Sequence, residues 1–297
     1  MQFFFEVLIG GLLAGVMYSL VALGFVLIFK ASGVFNFAQG AMVFFAALTF
    51  VSLLERDWNF WLAMLVTLAV MVVLGMAIEK IVLRPLVNQP PITLFMATIG
   101  LTFVLEGLSQ LLWGSQPHGL ELGIPDVPME WLSQAANINV SQFDVIAALV
   151  AGILVAALAL FFQKTRIGRA LRAVADDHQA ALAVGIPLQH IWAIVWAVAG
   201  FVALVAGMLW GARNGVQFAL TFIALKALPV LILGGFESVA GAIVGGLIIG
   251  ASEKVAEVYL GPFVGGGIES WFPYVLALVF LLFRPEGLFG EKHIDRV

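Results

Sequence analysis

Repeated apolar stretches, each long enough to cross a bilayer, narrow the fold of this chain more than any motif does. A helix needs about 20 apolar residues, rising 1.5 Å each, to span a hydrocarbon core about 30 Å thick. Residues 6–29, 34–54, 60–78, 92–113, 143–162 and 191–212 have that character. Three more stretches follow at 218–233, 238–259 and 271–283, the first of them holding Lys226 and Pro229. Of 297 residues, 62% are hydrophobic and 11% charged, against about 25% charged in a soluble domain. In lipid every backbone polar group must be satisfied inside the protein. The expectation is therefore an all-α polytopic membrane protein of about nine transmembrane helices, within a range of about eight to ten. The first apolar run has no basic leader and is too long for a cleaved signal, so it reads as a retained span. The 31 glycines suit helices that approach closely in lipid.

Charge orients the spans. Lys and Arg collect at cytoplasmic ends. With the basic segment 163–191 inside, Lys30, Lys80 and Arg84 also fall inside, and the 115–139 loop with Glu121, Asp126 and Glu130 falls outside. Residues 218–259 read either as one span with a re-entrant piece or as two short spans joined at 234–237. Two short spans make nine crossings, which bring the tail with Arg284, Lys292 and Arg296 inside. The expected orientation is an outer N-terminus and an inner C-terminus in a bacterial inner membrane, with Arg56 and Arg213 as exceptions to the charge rule.

The longest polar interruption is 163–191, QKTRIGRALRAVADDHQAALAVGIPLQHI. Helix is expected from about Gly168 to Ala175. Asp176 and Asp177 sit where a second short helix would begin, Gly185 fits the residue after its end, and Pro187 blocks continuation. The segment reads either as a topology marker or as a docking surface for a soluble partner, with Arg169 and Arg172 reaching acidic groups and Ala180 and Ala181 allowing close approach.

Two stretches break the helical pattern, 32–40 and 234–241, one in each half of the chain. Paired glycine-interrupted segments mark a translocation path in transporters with internal repeats; tight turns between antiparallel helices are the alternative. Asn36, Gln39, Gly40, Glu237 and Ser238 are the candidate pathway residues. Buried amides need partners, which places Asn36 and Gln39 toward the bundle interior. Glu106 and Lys226 are ionisable groups inside spans, and a structural ion pair between them is the simplest reading.

Other chemistry is argued against. There are no cysteines, which removes disulfides and thiol nucleophiles. His118, His178, His190 and His293 lack ligand spacing, so no metal or other cofactor is expected. No nucleophile elbow occurs, so no catalytic residues are assigned and the chain is not expected to be an enzyme. No phosphate-binding GxxxxGK[ST] motif occurs, so any ATP-driven step needs another polypeptide. A net charge of −4 gives no signal for nucleic acid.

Four stretches together resemble the membrane subunit of branched-chain (hydrophobic) amino acid ABC importers. Residues 34–40, VFNFAQG, are similar to that family's I-N-F-A-H-G segment, with Gln39 where His is usual. Residues 168–186 resemble its cytoplasmic coupling loop, and 234–246 its Gly-rich late segment. Residues 284–290, RPEGLFG, resemble its R-P-x-G-L-F-G tail. The likeness spans nearly the whole chain. It implies one permease domain, 1–297, of the type II importer class, with a coupling loop at 163–191 whose contacts would be Arg169, Arg172, Asp176, Asp177, Ala180, Ala181 and Gly185. The implied partners are a second homologous permease in a heterodimer, two ATP-binding subunits and a periplasmic binding protein. The family also includes permeases for urea, amides and aromatic acids. A secondary transporter working without an ATPase, or a membrane scaffold without a pore, is the reading from another class.

Overall fold

A computed structural model of the chain describes residues 2–290 except 87, 88, 131, 132, 135, 136 and 177, with backbone only at 91, 176 and 178–180. The described residues form helices α1 (Gln2–Ser32), α2 (Gln39–Leu54), α3 (Phe60–Ala77), α4 (Pro91–Trp113), α5 (Gln142–Lys164), α6 (Arg166–Asp176), α7 (His178–Ala183), α8 (Leu188–Asn214), α9 (Ile223–Gly234), α10 (Val239–Val264) and α11 (Phe272–Phe283). They divide into two compact units. One holds 1–26, 123–156 and 225–297; the other holds 27–122 and 157–224.

Among the described residues, six helices are long and apolar enough to cross a membrane: Gln2–Ser32, Phe60–Leu86, Ile92–Trp113, Gln142–Lys164, Leu188–Asn214 and Val239–Val264. The other three expected spans coincide with shorter apolar helices, Gln39–Leu54, Phe218–Gly234 and Phe272–Phe283. At 16 residues, α2 is about 24 Å long, less than a hydrocarbon core. Residues 39–51 of α2 are all buried in the protein, so the helix is surrounded by its neighbours along most of its length.

The unit containing α2 is built on close backbone approaches. Gly75 of α3 faces the Trp196 carbonyl of α8, Gly200 of α8 faces the Met71 carbonyl, and Gly207 faces the Val43 carbonyl of α2. A methyl group at any of these would strike backbone, so glycine sets how near α2, α3 and α8 lie. The Trp192 indole N–H donates to the Ala31 carbonyl at 2.9 Å, satisfying one of the free carbonyls at the end of α1. Gly33, with φ +66°, ends that helix as a left-handed residue.

The third apolar stretch extends past the charged residues expected to stop it. A π-helical turn over Ile78–Leu83 and a 3₁₀ turn over Arg84–Leu86 continue α3. Glu79 is buried there, and Arg84 neutralises it by donating Nε to Oε1 at 3.1 Å and Nη2 to Oε2 at 2.8 Å. Pairing within the segment lets the helix carry two opposite charges without ending.

In the other unit, Gly11 and Gly15 of α1 meet Gly246 and Gly250 of α10 across touching backbones. The Ser19 hydroxyl lies in the same seam, 2.9 Å from the Gly15 carbonyl and 3.3 Å from that of Ile243. Residues 218–259 resolve into two helices, α9 and α10, joined by the turn at 235–238. Ser238 caps α10 by accepting the Gly241 N–H at 3.0 Å. The segment after α11 returns to this turn, where the Leu288 and Phe289 N–H groups donate to the carbonyls of Leu233 and Gly234 at 2.8 and 3.1 Å.

Candidate functional site

The break before α2 is a hydrogen-bonded turn. The Ala38 N–H donates to Asn36 Oδ1 at 3.2 Å, and Asn36 Nδ2 donates to Gln39 Oε1 at 3.2 Å. Thr98 of α4 receives the Phe37 N–H at 3.2 Å, and its hydroxyl is 3.1 Å from the Phe35 carbonyl. Phe35, Phe37 and Phe95 pack around this network. Asn36 and Gln39 are both fully buried, where an amide without partners is costly. Gln39 Nε2 has no hydrogen-bond partner among the described residues. Gly40 sits against the Thr221 carbonyl and the Ala224 side chain, leaving no room for a Cβ. Thr98 was missed in the sequence because a lone threonine in an apolar span carries no spacing signal.

The second break lies in the other unit. Glu237 is exposed on the turn, and Ser238 serves as the cap of α10. Its three glycines have structural tasks. Gly234 and Gly241 touch backbone to backbone, and Gly235 adopts φ +103° beside Gly290 of the returning tail. The two family-like stretches, 234–246 and 284–290, are thus parts of one assembly.

Within residues 163–191 lie α6 and α7, with Gly185 at φ +84° and the Ile186 N–H returning to the Ala181 carbonyl at 2.9 Å. That is the expected left-handed stop. α6 is amphipathic, with Leu171 and Val174 buried. Arg169 and Arg172 donate to the carbonyls of Lys164 and Gln163 at 3.3 and 3.2 Å, so both guanidinium groups cap the end of α5. Ala181, singled out as an approach point for a partner, is 2% exposed and belongs to this chain's own packing. The exposed apolar side chains are Leu182 and Val184, one and three residues further on. Asp177 lies outside the described residues, as do the side chains of Asp176 and Ala180.

Glu106 and Lys226 do not form the expected pair. Lys226 Nζ lies 3.0 Å from Glu253 Oε1, and half-buried Glu106 lies beside the Thr221 hydroxyl. The sequence placed Glu253 near the end of its span, but α10 runs on to Val264. Glu253 is therefore a mid-helix residue facing α9. Tyr18 of α1 joins the pair, its hydroxyl donating to the same Glu253 oxygen at 3.1 Å. Among the described residues, no group of three or more His, Cys, Asp or Glu could hold a metal ion.

The chain is 28% identical over 306 residues to the high-affinity branched-chain amino acid transport system permease protein BraD of Pseudomonas aeruginosa, covering 99% of this chain and 98% of that protein. It is 26% identical over 311 residues to the corresponding LivH of Escherichia coli, with the same coverage. The fructose import permease protein FruF of Bifidobacterium longum is 25% identical over 80% of this chain and 66% of its own length. Matched over residues 7–283, the chain belongs to the family described as branched-chain amino acid transport system permease component.

Proposed function

We propose that this chain is a membrane-embedded permease subunit of an ATP-binding cassette importer that moves branched-chain and other hydrophobic amino acids. Near full-length likeness to permeases of branched-chain amino acid transport systems carries the reading. In it, residues 1–297 act as one permease domain in a bacterial inner membrane. The chain crosses nine times, with the N-terminus periplasmic and the C-terminus cytoplasmic. A second homologous permease completes the pathway, two ATPase subunits drive it, and a periplasmic binding protein delivers substrate. Asn36, Gln39, Gly40, Glu237 and Ser238 contribute to the pathway.

The segment 163–191 is the ATPase contact in this account. Leu182 and Val184 present an apolar tip for a partner groove, with Gly185 closing the helix behind them. Arg169 and Arg172 hold the segment to α5, so closure of the ATPases shifts α5 and α8 as rigid bodies. Co-purification of the ATPases with Val184→Asp and Glu121→Lys proteins tests the contact. Loss with Val184→Asp alone is expected. Retention of the ATPases by a Leu182→Asp, Val184→Asp protein contradicts the assignment.

A further inference from the structure

Two buried glutamates in the helical segments are satisfied in different ways. Arg84 occupies both oxygens of Glu79. At Glu253, which is 1% exposed, Lys226 Nζ and the Tyr18 hydroxyl both converge on Oε1 at 3.0 and 3.1 Å. Oε2 is buried and has no hydrogen-bond partner among the described residues. Lys226 has three donor hydrogens. One faces Glu253 and one faces the Tyr18 oxygen at 3.4 Å, which leaves a third. Its side chain is 31% exposed, and it lies 5.9 Å from the centre of the Tyr18 ring. The cluster therefore closes three contacts among its own members and keeps one donor and one acceptor in reserve, on opposite charges, within apolar helices. A buried carboxylate left half-satisfied is costly for a purely structural pair.

We propose that Lys226 and Glu253 bind the charged head group of an α-amino acid, with Tyr18 holding the pair in register. The substrate carboxylate accepts from Lys226 Nζ, and the substrate ammonium donates to Glu253 Oε2. This rests on the transport function proposed above and assigns residues to the recognition of its substrate's head group. A zwitterion adds no net charge to the ion pair, whereas a cation or an anion would leave an uncompensated charge among apolar helices. Urea, amides and sugars have neither charge and cannot engage both partners. The site therefore selects neutral zwitterions, and an apolar side chain suits the surrounding helices.

Binding of labelled leucine, 4-methylpentanoate (no amine) and leucinamide (no carboxylate) to the assembled transporter, without its binding protein, tests this. The wild type is expected to prefer leucine to either analogue by about tenfold or more, the contribution of one charge-assisted hydrogen bond. Glu253→Gln should weaken leucine and leucinamide while sparing 4-methylpentanoate. Lys226→Met should weaken leucine and 4-methylpentanoate while sparing leucinamide. A structural pair would lower all three together, and that pattern overturns the proposal. So does a wild type that holds the three ligands equally, a result that depends on no variant folding. If ATP-driven leucine uptake persists in that case, the transport function stands and only the head-group site falls. If the wild type neither binds nor moves leucine, both fall.

Discussion

The Leu288 N–H donates to the Leu233 carbonyl at 2.8 Å, tying the segment after the last helix to the end of α9. With Phe289 bonded to Gly234, two carbonyls that α9 leaves open are satisfied. Gly287, at φ +81°, lies against Gly235. Gly287→Val is therefore expected to strain the backbone by about 1–3 kcal/mol and to push the tail off the turn. Thermal unfolding in detergent should show a lower Tm. Phe289→Ala, which keeps the backbone bonds, should lie much nearer the wild type. Equal Tm values for Gly287→Val and wild type would reject the clamp.

The α1–α10 seam should resist any side chain. Gly15→Leu forces apart backbones that touch at Gly246, and overpacking of this kind costs about 1–3 kcal/mol. Gly10 has open space around its Cβ position, so Gly10→Leu is the control. A drop in Tm for Gly15→Leu and little change for Gly10→Leu is the expected result of parallel melts.

Arg84→Met leaves the Glu79 carboxylate buried without its partner, a loss of about 3–5 kcal/mol. Removing both charges with Arg84→Met and Glu79→Leu should recover most of it. A double variant as unstable as the single one would show that the pair does more than neutralise charge.

Much of this was legible in the sequence, and the limits follow from what a sequence encodes. Apolar runs located the helices, and Gly185 marked a helix end because its conformational role is local. Gly234, Gly235 and residues 284–290 stood out separately, but their union was hidden, since backbone pairing across some fifty residues leaves no trace in either stretch. The partner of Lys226 was misassigned for the same reason. Choosing Glu253 over Glu106 depends on which face α10 turns to α9. Ala181 was taken as surface from its size alone, whereas the packing of α6 and α7 against their own unit turns it inward.

Asn36 and Gln39 have separable roles. Asn36 closes the turn before α2 by accepting the Ala38 N–H and donating to Gln39, so Asn36→Leu leaves buried partners unpaired and should cost about 1–3 kcal/mol in stability. Gln39→Leu loses one hydrogen bond from Asn36, about 1 kcal/mol or less, yet in the proposed pathway it should reduce uptake far more than its Tm shift implies. Uptake by Gln39→Leu equal to wild type, with the complex assembled, would remove Gln39 from the pathway.

ATP-driven uptake into proteoliposomes holding this chain, its paired permease, the two ATPase subunits and the binding protein tests the central claim most directly. Labelled leucine, urea and fructose are supplied in parallel, with ATP or without it. The account predicts that leucine accumulates only with ATP and stimulates its hydrolysis, while urea and fructose do neither. Leucine movement that is independent of ATP, or accumulation of urea or fructose in its place, would contradict it.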